Sequence, residues 1–144
     1  MALSKSSQAW TDIGSMVLTN GLRMTFGEVP TNAGTISGTS GGVTTLCTVP
    51  TGRSYLVMGG FLRLTSATSL TNTAVLSIGT NAATYDNILP STALTGWNSV
   101  NQFYPLDIGG PVWLSGAGQN IRLNLTGVFG GTVTFEVVLF GAIF

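Results

Sequence analysis

The closing segment TVTFEVVLFGAIF, from Thr132 to Phe144, sets the tightest limit on what this chain can fold into. Val133, Phe135 and Val137 alternate with Thr132, Thr134 and Glu136, the period of a half-buried strand. The alternation then fails in one direction only. Val138, Phe140, Ala142 and Phe144 make the second face apolar as well. In a two-sheet sandwich one face of such a strand meets the opposite sheet, and the other normally meets water. Burying a Val or Phe side chain stabilises by roughly 1.5–3 kcal/mol, and a bare strip of them invites aggregation. The second face is therefore expected to be covered, either by the chain's own N-terminal segment or by the same strand of another copy.

Composition favours the copy. Of 144 residues 44% are hydrophobic and 7% charged, against roughly 25% charged in an ordinary globular domain. Five basic and five acidic residues cancel, and mean hydropathy is +0.43. A net charge near zero promotes association. With no basic cluster, counterion-release binding to nucleic acid has little to act on. No run approaches the roughly 18 apolar residues of a membrane helix, so neither nucleic acid nor membrane is an expected partner. The opening MALSKSSQAWTD has no hydrophobic core of a signal peptide, and synthesis in the reducing cytoplasm of a cell is expected. Cys47 is the lone cysteine, which excludes an intrachain disulfide. It is expected to be a buried thiol on the apolar side of VTTLCTVP, with Val43 and Val49.

Gly, Thr, Ser and Asn are abundant and the apolar residues are rich in β-branched types, an all-β composition. Residues 1–42 read as an N-terminal arm or extension, and residues 43–144 as a β-sandwich domain. In the arm, short strands are expected at Ser15–Leu18 and Leu22–Phe26, around the hairpin-like TNGL. EVPTNAGTISGTSGG reads as a loop or extended segment that reaches a partner. VTTLCTVP is then a strand stopped by Pro50. SYLVMGGFLRLTSA is a long strand, with Leu56, Met58, Leu62 and Leu64 on one face and Tyr55, Val57, Phe61 and Arg63 on the other. Its Gly59-Gly60 pair marks a bulge or bend. TAVLSIGT and ATYDNIL follow as strands. NIRLNLTG alternates cleanly, with Ile121, Leu123 and Leu125 facing in. About eight strands after the arm predict an antiparallel, jelly-roll-like β-sandwich, with another Greek-key topology as the competitor.

Chemical motifs mostly fail on inspection. GTSGG, Gly38 to Gly42, fits the G-x-S-x-G pattern, but a nucleophile elbow needs a His to take the serine proton. The chain has no His, and Lys5 lies in the N-terminal tail, so Ser40 reads as a linker residue. The same lack removes the usual zinc and copper ligand sets. Asp86 and Asp107 read as turn formers. The carboxylates are scattered, and Glu136, in mid-strand, is expected to pair with an Arg. No phosphate-binding or dinucleotide motif occurs. No catalytic residue, cofactor or metal is expected, and the chain does not read as an enzyme. The aromatics Trp97, Phe103, Tyr104 and Trp113 crowd one loop-rich stretch. Exposed, they would stack on a sugar; otherwise Trp113 and Phe103 are core and Trp97 packs a loop.

A neutral β-sandwich with a polar arm and a two-faced closing strand resembles the small decoration (cement) proteins of tailed-phage capsids. The segments that carry the likeness are VTTLCTVPTGRSYLVMGGFLRLTSATS, LSIGTNAATYDNIL and GGTVTFEVVLFGAIF, together spanning about Val43 to Phe144. A VP-x-G turn is part of it (Val49, Pro50, Gly52), followed by the polar Thr71 and Asn72. The resemblance implies a homotrimer bound between capsomers on the outer surface of the virion, with the major capsid protein as partner and a mechanical role. Val138, Phe140 and Phe144 are the expected oligomer interface. The competing expectation is a carbohydrate- or receptor-binding module of a virion fibre or surface protein, using Trp97, Tyr104 and Trp113. A trimeric β-sandwich of tumour-necrosis-factor style ranks third.

Overall fold

A computed structural model describes residues 12–17, 23–29, 35–68, 73–97, 99–115, 118–127, 129 and 132–144, with 12–17, 23–29 and 115 described by their backbone. These residues form strands and no helix. In chain order the strands are β1 (Asp12–Val17), β2 (Arg23–Val29), β3 (Ile36–Ser37), β4 (Gly42–Thr48), β5 (Ser54–Ala67), β6 (Val75–Gly79), β7 (Leu89–Ala93), β8 (Phe103–Leu106), β9 (Val112–Ser115), β10 (Asn120–Thr126) and β11 (Val133–Ile143). The expected Lys5, the TNGL turn, Thr71 and Asn72 lie outside the described residues.

Every pairing is antiparallel. The larger sheet runs β1-β2-β11-β5-β8, with β3 also on β11 and β9 also on β5; the smaller runs β4-β10-β6-β7. The chain is wound as a nested hairpin. β5 pairs with β11 in one sheet, while their neighbours β6 and β10 pair in the other. This nesting is the jelly-roll feature, and the all-β antiparallel sandwich is the fold. Leu62, Leu64, Phe135 and Leu139 from the larger sheet are fully buried, as are Leu76, Ile78, Ile121 and Leu123 from the smaller. They form one core between the sheets.

Segments of the stretch 1–42 are hydrogen-bonded to β11. β2 pairs with Leu139–Ile143, and β3 with Thr134 and Phe135. The expected loop EVPTNAGTISGTSGG starts within β2 and contains β3, whose Ile36 enters the core.

Two bulges correct the expected faces. Across β5 and β11, Phe140 faces Gly59 but Gly141 faces Val57, which leaves Met58 unpaired. The extra residue reverses the alternation, so Tyr55 and Val57 share the core side with Leu62 and Leu64, and Met58 is exposed. In β4, Cys47 faces Ile121 while Thr45 faces Arg122, so Leu46 is the extra residue. Leu46 and Cys47 are both buried, and Val43 falls on the exposed side, apart from Cys47 and Val49. The strand expected at ATYDNIL is replaced by a turn-rich loop before β7. Ala83 (φ 78°) and Tyr85 (φ 49°) are left-handed there, which no strand accommodates.

Candidate functional site

The inner face of β11 is fully covered: Val133, Phe135, Val137 and Leu139 are buried. Its other face lies on the outside of the larger sheet. Cross-strand pairing sets what surrounds it. Glu136 faces Arg63, Val138 faces Phe61, Phe140 faces Gly59 and Ala142 faces Leu56. One strand further on, Phe103 lies beside Arg63, Pro105 beside Phe61 and Trp113 beside Leu56.

The result is a continuous apolar band across β11, β5, β8 and β9. Phe103 is 59% exposed, Trp113 51%, Met58 46% and Phe140 44%. The rings are ordered by one another. Trp113 and Phe144 sit 4.7 Å apart between centroids, and Phe61 and Phe103 meet edge to face at 5.1 Å. The Phe140 ring lies on Gly59, where an added Cβ would stand 2.6 Å from Phe140 Cζ. Glycine opposite an aromatic ring lets the ring lie flat on the sheet.

The polar end of the band is fixed as tightly. Arg63 Nη2 donates to Glu136 Oε2 at 2.7 Å, with both side chains 35% exposed, and the guanidinium lies 5.9 Å from the Phe103 ring centroid. This is the Arg partner expected of Glu136. Next to it, Thr134 shares hydrogen bonds of 2.7 Å with Thr65 and Ser66. What the band offers chemically is aromatic and aliphatic contact, bounded by one internally neutralised charge pair.

Of the residues singled out in sequence, Val138, Phe140, Phe144 and Trp113 come together on this band. Tyr104 does not. It is buried on the inner side, stacked on Trp97 with centroids 4.6 Å apart and rings 12° from parallel. Its hydroxyl donates to Gln102 Oε1 and accepts from the Ser99 N–H. The alternative in which Phe103 and Trp113 are core is overturned: β8 and β9 turn these two outward and put Tyr104 and Leu114 inside. Met58, Leu56, Phe61 and Arg63 joined the band without a sequence signal, because cross-strand register and the Met58 bulge decide their neighbours. Ser40 is exposed in the turn between β3 and β4, beside a recess of about 360 Å³. Asp86 is held in its own loop by Asn81 and Thr84, and Asp107 accepts from the Gly109 N–H as a turn former does.

No family model matches the chain, and no curated protein is significantly similar to it. Among solved structures, the fold is similar to a chain of the acidic stable capsid structure of Helicobacter pylori bacteriophage KHP30. The TM-score is 0.51 at 13% identity, over 82% of this chain and 92% of that one. A chain of the cyanophage Pam1 capsid asymmetric unit is also similar, with a TM-score of 0.46 at 17% identity, over 75% of this chain and 80% of that one. At such identities the likeness is one of fold.

Proposed function

We propose that this chain is a structural virion protein: a decoration, or cement, protein that binds between capsomers on the outside of a phage head and stabilises the shell. The observation that carries the reading is the outer face of the larger sheet. Phe103, Trp113, Met58 and Phe140 are all exposed on one band of a neutral chain, which suits a permanent contact better than a transient one. The fold shared with a chain of the KHP30 capsid structure supports the same direction.

In this reading three copies meet through β11, by way of Val138, Phe140 and Phe144, and the major capsid protein takes the remaining contacts. Segment 1–42, whose β2 and β3 extend the larger sheet beside β11, adds contacts with a partner. The work is mechanical. Each copy adds buried interface across a capsomer boundary, and repetition over the shell multiplies a modest affinity. No catalytic residue, cofactor or metal is assigned.

The test uses heads of the phage whose genome encodes the chain. Purified heads are expected to carry it in a fixed stoichiometry. Heads stripped of it should break at a lower temperature and regain their stability when the purified chain is added back. Heads that lack the chain, or that are no more stable with it, overturn the reading.

A further inference from the structure

The outer face of the smaller sheet carries a different feature. Arg122 stands on the central strand β10, between Thr45 of β4 and Gly79 of β6. Its Nη1 donates to the Tyr85 hydroxyl at 2.9 Å, and the guanidinium lies 5.6 Å from the Tyr85 ring centroid. Its Nε is buried with no hydrogen-bond partner. Among the described residues the ion pair is Arg63–Glu136, so Arg122 is a partly buried cation without a counter-charge. An uncompensated charge with an orphaned donor is costly, and a fold that keeps one calls for a physical reason.

The carboxylate next to Tyr85 in the chain is engaged within its own loop. Asp86 follows Tyr85, but its Oδ1 accepts from Asn81 Nδ2 at 2.6 Å and from Thr84 Oγ1 at 2.9 Å. These bonds hold the Asp86 carboxyl below its ordinary range. The loop spends its own acid on its own rigidity. Asn87 Oδ1 accepts from the Thr80 N–H at 2.7 Å, and Asn81 Oδ1 from the Asp86 N–H at 2.9 Å. Tyr85 itself is left-handed, φ 49°, a conformation costly for an aromatic residue. The loop folds back onto β6 only because position 79 is Gly: a Cβ there would stand 2.6 Å from Asn81 Oδ1 and 2.6 Å from the Tyr85 carbonyl carbon. The whole loop is built to hold the Tyr85 ring against Arg122.

The Tyr85 hydroxyl accepts from Arg122 and has no acceptor for its own proton among the described residues. That O–H and the remaining guanidinium N–H groups are donors held side by side next to a bare positive charge. We propose that Arg122 and Tyr85 form a carboxylate-binding site, and that its natural ligand is a Glu or Asp side chain of a protein docked on the smaller sheet. Such a carboxylate supplies the missing counter-charge and accepts from both donors. The site is on the opposite outer face from the aromatic band and does not depend on the role proposed for that band.

The experiment observes the arginine Nε–Hε resonances of the full chain by nitrogen-edited NMR, with the Arg122 signal assigned through Arg122→Lys. The probe is the peptide Gly-Glu-Gly, with Gly-Gln-Gly, glutarate and inorganic phosphate as comparisons. Gly-Glu-Gly is expected to shift the Arg122 signal saturably and Gly-Gln-Gly to leave it in place. Tyr85→Phe, with an unchanged circular dichroism spectrum, should weaken the effect about tenfold, the loss of one charge-assisted hydrogen bond. No saturable shift with Gly-Glu-Gly overturns the site. An equal response to phosphate overturns its carboxylate chemistry, and tighter binding of glutarate than of the peptide overturns its assignment to a protein ligand.

Discussion

Cys47 shows how far a single residue's surroundings govern its chemistry. Burial between the sheets pushes its thiol up to about 12, because a thiolate there would lose its hydration. The thiolate is the nucleophile, so the folded chain holds this cysteine inert. A disulfide reagent such as DTNB at pH 8 is expected to leave the native protein unmodified and to react with one thiol per chain once guanidinium has unfolded it. Prompt reaction of the native protein would mean that the site opens. The same shift fixes a pH dependence. An unfolded thiol loses its proton near pH 8.5 while the folded one keeps it to about 12, so stability is full below that range and falls as pH rises through it. The burial was legible in VTTLCTVP, where an uncharged small residue sits among apolar ones. The side taken by Val43 was not, since the extra residue at Leu46 reverses the alternation upstream of it. Tyr85 and Arg122 were equally hidden: their meeting depends on a left-handed loop and on strand register, and neither has a signature in composition.

At the scale of the element, the β5–β11 pair is the spine of the larger sheet, paired from Ala67 with Val133 to Tyr55 with Ile143. Its two neighbouring glycines serve different ends. A Cβ on Gly60 would press on the Val138 carbonyl oxygen at 2.6 Å, part of the partner backbone. A Cβ on Gly59 would meet only the far end of the Phe140 side chain, which can swing aside. Gly60→Ala is therefore expected to cost about 1–3 kcal/mol, with Gly59→Ala costing less. Urea unfolding of both variants checks the order, and the reverse order would contradict this account of the bulge. The Gly-Gly pair announced a bulge in the sequence. It could not announce which residue would be left over. That residue is Met58, and its place decides that Tyr55 and Val57 face the core. In the same way the alternation of β10 and of β11 read straight through, because no bulge falls between Leu123 and Leu125 or between Phe135 and Phe140. The loop before β7 carries the strand-favouring Tyr85 and Ile88, but it is folded back by side-chain bonds of Asn81 and Asn87 to backbone N–H groups of the same loop, which an alternation pattern does not register.

At the scale of the molecule, the second apolar face of β11 was legible and its neighbours were not. Val138, Phe140 and Phe144 followed from the broken alternation alone. Phe103, Trp113 and Met58 came to the same band through β8, β9 and a bulge. Phe140 offers the cleanest test of the proposed trimer, because one substitution separates folding from assembly. Its ring lies on the sheet surface and is 44% exposed in the single chain, so Phe140→Asp puts a carboxylate where water still reaches it. The fold should survive with little loss. In a closed ring of three the same carboxylate is shut away from water with no partner, at a cost of about 3–5 kcal/mol per buried charge. A rotational interface repeats that penalty at every contact. Light scattering is expected to give three times the chain mass for the wild type and one chain mass for Phe140→Asp, with matching circular dichroism spectra. A folded wild-type monomer at micromolar concentration would defeat the trimer. A variant that remains trimeric would move the contact away from Phe140 along the band, toward Trp113 or Phe103, where the corresponding Asp substitutions locate it.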